Sequence, residues 1–186
     1  NKTMKKITLI LLSLGLFSSI ICAEEEKSFL LTKDPISMKI RKYFEEMKKE
    51  NIKFAEDFYS EKVKVSINDL DILGKKNYLP RLKTIHKSLF KEVTFDNLHV
   101  HTNYFSPEAL TSDGKTMGEV NLNEKTIWTN VWGTVTGVGR TTNKKISFRM
   151  HMDFRTLDGK VVEMLAFYDP AQMNAEIEAL EASKTK

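Results

Sequence analysis

The sequence predicts an α+β fold: one domain with helices set against one face of an antiparallel sheet. Three observations predict it. "ISFRMHMDFR" (146–155) alternates apolar Ile146, Phe148, Met150, Met152 and Phe154 with polar Ser147, Arg149, His151, Asp153 and Arg155. Strict alternation marks a strand with one dry and one wet face. The first half of the chain carries apolar residues at helical spacing, and the second half carries strand-like runs separated by turn signals such as Asp158-Gly159.

The elements follow in chain order. Residues 1–23 read as a cleaved signal peptide: Lys5 and Lys6, an apolar run, then Ile21-Cys22-Ala23 at a signal-peptidase site. The run is too short to span a membrane. The chain is therefore expected to be secreted or periplasmic. The rival reading is a lipoprotein acylated on Cys22, the one route by which the membrane becomes a partner; Ile21 stands where lipoproteins usually have a small residue. Residues 24–34 form a charged leader, 35–182 the single domain and 183–186 a loose tail.

Asp34-Pro35 starts a helix, with an acceptor at the cap and proline in the first turn. It runs to about Tyr59, with Ile40, Phe44, Met47, Asn51, Phe54 or Ala55, and Phe58 on one stripe. "VKVSI" (63–67) is a short strand and "NDLDILG" a turn-rich link. A second helix, from Lys75 to about Leu89, puts Tyr78, Leu82, Ile85 and Leu89 on one side and His86 at an edge. Val93 to about Phe105 is a strand whose apolar phase changes between Phe95 and Leu98, which calls for a bulge. Residues 106–124 are a long polar loop or an irregular hairpin. Strands follow at 125–137, 145–155 and 160–169, and Asp169-Pro170 caps a last helix with Met173, Ile177 and Leu180 in line.

Charge and composition exclude some classes. The full chain is +4, and loss of the three lysines in residues 1–23 leaves about +1. So small an excess gives no reason to expect nucleic acid as a partner. Cys22 is the sole cysteine, so the mature domain has no disulfide and no thiolate metal site. No phosphate loop, nucleophile elbow or zinc-protease helix occurs, and no cofactor or metal is expected. His99 and His101 in "HVH" share one strand face at a spacing that suits a metal, but the sequence does not set His151 beside them.

The run "GTVTG" (133–137), then Phe154-Arg155, Asp158-Gly159-Lys160 and Tyr168-Asp169, resembles the SnoaL-like branch of the nuclear transport factor 2-like superfamily. Gly74, before the second helix, agrees with it. The resemblance spans about residues 37–172 and implies a cone, a curved antiparallel sheet wrapped around the N-terminal helices with an internal pocket. It further implies a small hydrophobic ligand and a homodimer through the outer sheet face. The pocket would be lined by Phe148, Met150 and Met152, with Tyr43, Phe44, Met47, Phe58, Tyr78, Ile85, Met164 and Tyr168 as companions. The acid of cyclase-like relatives falls on Met152, and their histidine falls on Val135, so neither can move a proton here. Hence the expected function is binding without catalysis. The alternative is an isomerase, cyclase or hydrolase using Asp69 or Asp71 with Tyr43. A third reading is a dimeric interaction module with Trp128 and Trp132 at its contact. With Val131 and Val135 facing inward, both tryptophans fall on the outer face.

Overall fold

The structure, a computed structural model, describes residues 29–104, 108–111, 113–116, 119 and 127–185. The expected signal segment, Cys22, the first part of the expected leader and much of the polar loop lie outside the described residues.

The elements are β1 (Phe29–Leu31), α1 (Pro35–Lys48), α2 (Ile52–Phe58), β2 (Tyr59–Ile67), β3 (Leu70–Leu73), α3 (Lys75–Thr84) continued by a π-helical turn (Ile85–Leu89), β4 (Phe90–Tyr104), β5 (Ile127–Gly139), β6 (Lys145–Leu157), β7 (Lys160–Tyr168) and α4 (Ala171–Lys184). One seven-stranded sheet has the order β1-β4-β5-β6-β7-β2-β3. Strands β4 to β7 form an antiparallel meander, while β2 joins β7 in parallel.

Helix α1 starts where the sequence places it. The Asp34 carboxylate accepts the amides of Ile36 and Ser37 at 3.2 and 3.3 Å and the Tyr104 hydroxyl at 3.1 Å. The spacing of Ile40, Tyr43, Phe44 and Met47 turns all four into the core. The single long helix expected up to Tyr59 is in fact two. Glu50 takes φ 55°, and the amides of Lys49, Glu50 and Asn51 fold back onto the Glu46 and Met47 carbonyls. Carboxylate contacts hold the break: Glu50 binds Arg140 at 2.6 Å and Lys87 at 2.7 Å. Tyr59 then opens β2 rather than closing a helix.

Three further expectations are corrected. Residues 29–31 of the supposed leader pair with Thr102–Tyr104 as β1, which covers an edge of the sheet that would otherwise be open. The turn-rich link holds β3, which folds back on β2. The tail is also shorter than expected, because α4 continues to Lys184.

The bulge expected in β4 is present and doubled. Register shifts fall between Lys91 and Thr94 and between Asp96 and His99, with Glu92 and Asn97 at φ 56° and 51°. "GTVTG" lies opposite. A Cβ on Gly133 would stand 3.1 Å from the Asp96 carbonyl, and one on Gly137 3.2 Å from the Lys91 carbonyl. The two glycines thus let the bulged backbone of β4 approach β5, and the sheet bends over α1 and α3. A polar chain at one end of the core fixes α1 to the bend: Ser37 Oγ meets Thr102 Oγ1 at 2.8 Å, which meets Thr129 Oγ1 at 3.1 Å. At the other end Glu176 of α4, only 2 % exposed, accepts the amides of Thr141 and Thr142 and the Thr142 hydroxyl.

Candidate functional site

The bent sheet and the helices line a cavity of about 120 Å³ that opens to solvent on one side. Alternation along β6 directs Ile146, Phe148, Met150 and Met152 into it. Phe154, next in the same row, is fully buried against Tyr43 and Phe44, with ring centroids 5.8 and 6.2 Å apart. Tyr43, Phe44 and Met47 come from α1, Tyr78 and Leu82 from α3, Ile85 and His86 from the π-helical turn, and Met164, Ala166 and Tyr168 from β7. Val93 and Phe95 of β4 and Val135 of β5 complete the sheet wall. The structure therefore brings together Tyr43, Phe44, Met47, Tyr78, Ile85, Phe148, Met150, Met152, Met164 and Tyr168. Phe58 is the exception. It is buried but stands behind Tyr43, packed on Phe54 and Tyr59, with the Lys39 ammonium 4.8 Å above its ring.

The wall is apolar with few polar points. Tyr43, Tyr59 and Tyr78 form a buried cluster, in which the Tyr59 hydroxyl donates to that of Tyr43 at 3.4 Å. Burial raises the pKa of all three phenols, so they remain protonated. The Tyr168 hydroxyl meets the Met173 sulfur at 3.4 Å. No carboxylate lines the cavity among the described residues. Asp69 and Asp71 stand in solvent at the β2–β3 hairpin, where Asp71 accepts the Ser66 hydroxyl at 2.5 Å. Neither reaches Tyr43, which removes the geometry an acid–base pair with that phenol would need.

Among the lining residues absent from the predicted pocket, His86 is the one with a titratable ring. It is 4 % exposed and lines the cavity, not a helix edge. The cause is the π-helical turn, whose extra residue per turn shifts the inward phase of α3 by about one residue. Arg140 holds that turn: its guanidinium donates to the His86 carbonyl at 2.9 Å and to the Phe90 carbonyl at 2.8 Å, and its amide donates to the Leu89 carbonyl. Nδ1 of His86 is buried without a hydrogen-bond partner. Burial lowers the pKa of the imidazole, nearby Lys87 and Arg140 lower it further, and Glu50 pulls the other way. No periodic signal marks a π turn in advance.

The outer face of the sheet carries a row in register across four strands: His99, Trp132, His151 and Phe167. Trp132 is 44 % exposed and stacks on His99 at 4.3 Å, with His101 edge-on at 5.0 Å. The register brings His151 into this row, where its Nε2 meets Asp153 at 3.1 Å. Among the described residues no group of three or more such side chains is arranged to hold a metal ion. Trp128 is half-buried on the same face, 6.0 Å from the Arg155 guanidinium.

Solved structures with this shape place the fold. A candidate polyketide cyclase from Xanthomonas campestris pv. campestris is similar over 79 % of this chain and 99 % of its own, with TM-score 0.57 and 13 % identity. A candidate SnoaL-like polyketide cyclase from Jannaschia sp. CCS1 is similar over 79 % and 92 %, with TM-score 0.51 and 14 % identity. An NTF2-like protein of unknown function from Burkholderia pseudomallei is similar over 76 % and 96 %, with TM-score 0.52 and 13 % identity. The chain has the nuclear transport factor 2-like fold. SnoaL-like proteins share this fold, and at such identity the likeness carries architecture without activity. No protein-family model and no curated protein matches the sequence.

Proposed function

We propose that the chain is an exported binding protein that holds a small hydrophobic molecule in its nuclear transport factor 2-like cone and does no carboxylate acid–base chemistry on it. The observation that carries this reading is the cavity itself: about 120 Å³, walled by methionine, aromatic and aliphatic side chains, with no carboxylate among its described lining residues. A carboxylate general base must lie within hydrogen-bond reach of the proton it takes. Export is supported by the residues of the N-terminal segment 4–23. The test is native mass spectrometry of the protein purified from its own cell envelope. The expected spectrum shows the chain without residues 1–23 and an added small mass that is released on denaturation in organic solvent. Chain that carries no guest, and that gains none on incubation with small aromatic hydrocarbons, overturns the binding reading.

A second reading concerns the outer face. Trp132 and Phe167, 44 and 48 % exposed and joined through His151, form an apolar strip across the sheet. We propose that a second copy of the chain covers it, since large exposed aromatics mark contact surfaces. Sedimentation of wild type and of Trp132→Lys tests this, with a dimer expected for the first and a monomer for the second. A monomeric wild type rejects the proposal.

A further inference from the structure

We infer that the guest is a single-tailed amphiphile with a carboxylate head: its tail enters the cone, and Arg81 and Lys184 hold its head outside. This rests on the cone being a ligand site and adds the polar end of the ligand to that reading. A second hollow, of about 180 Å³, lies between α3, the π-helical turn and α4. Ile85 and Met173 line both hollows, so the two meet at these side chains. Met173 is unbranched and adaptable, which suits a side chain that must yield to a tail. Together the hollows reach the roughly 300 Å³ at which ligand clefts begin.

The outer hollow joins apolar and charged lining. Leu89, Ile177 and Leu180 are buried or half-buried, while Lys184 and Glu181 are exposed and Arg81 is half-buried. Both cations stand on stripes that otherwise carry apolar or aromatic side chains. Met173, Ile177, Leu180 and Lys184 follow one stripe of α4, and Arg81 lies three residues after Tyr78 and four before Ile85. Neither cation binds a carboxylate among the described residues. Their neighbours differ: Lys75, Lys83 and Lys87 bind Glu61, Glu56 and Glu50 at 2.5, 2.9 and 2.7 Å. Glu181 is the one acid in the described lining of the outer hollow, so two cations against one anion leave it positive. A guanidinium fork matches a carboxylate through two parallel N–H bonds. The inner hollow has no lysine or arginine in its described lining, so a charged head is costly there and the tail is the part that enters.

The experiment titrates octanoate, 1-octanol and octyltrimethylammonium by calorimetry into wild type, Arg81→Gln, Lys184→Gln and Glu181→Gln. In wild type octanoate is expected to bind about tenfold tighter than 1-octanol, the worth of about one charge-assisted hydrogen bond. Octyltrimethylammonium is expected to bind most weakly. The preference for octanoate vanishes in Arg81→Gln, shrinks in Lys184→Gln and grows in Glu181→Gln, while 1-octanol binding is unchanged in all three. Octanoate also displaces toluene, because its tail fills the inner hollow. The wild-type ranking decides the head-group claim even where a variant does not fold. Equal wild-type affinity for octanoate and 1-octanol, as when both cations merely extend into water, overturns the inference. So does a preference that survives in Arg81→Gln, octanoate bound without loss of toluene, or toluene bound with neither octyl compound. If toluene does not bind either, the cone reading itself falls.

Discussion

Ala166→Leu tests whether the cavity is empty space or packed core. Ala166 is buried on β7, paired with Met152 of β6 and Ile67 of β2, and all three line the cavity. Leucine adds three carbons, worth about 2.4 kcal/mol if all are buried. Loss of side-chain rotamer freedom takes back about 0.5–1 kcal/mol, leaving a net gain of about 1.5 kcal/mol. For a chain of this size that raises the melting temperature by roughly 3–6 °C. The assay is thermal unfolding followed by circular dichroism, with and without saturating toluene. Wild type gains stability from toluene and the variant gains little, since its cavity is already occupied. A variant less stable than wild type by about 1–3 kcal/mol is the result for an overpacked site. It would refute the claim that the cone holds usable space.

Three further predictions rest on the scaffold. Gly133→Ala sets a Cβ 3.1 Å from the Asp96 carbonyl, and straightening that contact is expected to cost about 1–3 kcal/mol in a urea titration; an unchanged midpoint would show that the bulge does not need the glycine. Glu176→Ala leaves the amides of Thr141 and Thr142 and a hydroxyl without their acceptor, and is expected to cost about 2–3 kcal/mol by the same measurement, with the β5–β6 turn losing hydrogen-exchange protection. Acidification should destabilise the fold in two stages. Burial depresses the pKa of His86, against Glu50 and with Lys87 and Arg140; burial and then His99 depress that of His101, with His151 adding to the effect and Asp153 opposing it. The unfolded chain then binds protons more tightly, so the stability these groups give is complete above pH 6.5, their ordinary value, and is lost as pH falls through the lower folded values. Glu176 extends the loss below its ordinary 4.5: burial raises its pKa, but the hydroxyl and amide bonds from Thr142 and Thr141 win and lower it. Urea midpoints that stay flat between pH 7 and 5 would contradict the histidine part.

Much of the fold was legible because its signals are local. The alternation of 146–154, the Asp34-Pro35 start, the phase change between Phe95 and Leu98 and the left-handed Asp158-Gly159 turn each lie within a few residues of chain. What escaped depends on distant partners. The parallel pairing of β2 with β7 joins residues about a hundred positions apart, and no pattern within β2 announces it. The break at Glu50 depends on Arg140 and Lys87. β1 was hidden in a charged leader, because three edge residues need only a free neighbour and no dry face of their own. The cavity residues followed from the resemblance together with strand phase. His86 did not, because one widened turn moves a side chain from rim to wall without any change in composition.

The close approach of β4 and β5 at Gly133 and Gly137 separates the vessel from its contents. Curvature is set there by main chain against main chain, at two positions outside the lining of the hollow. The residues that line the hollow are thus free to change size and polarity while the shell keeps its shape. Chains built on the same bend can hold unrelated cargo, and shared architecture among them says little about what each one carries.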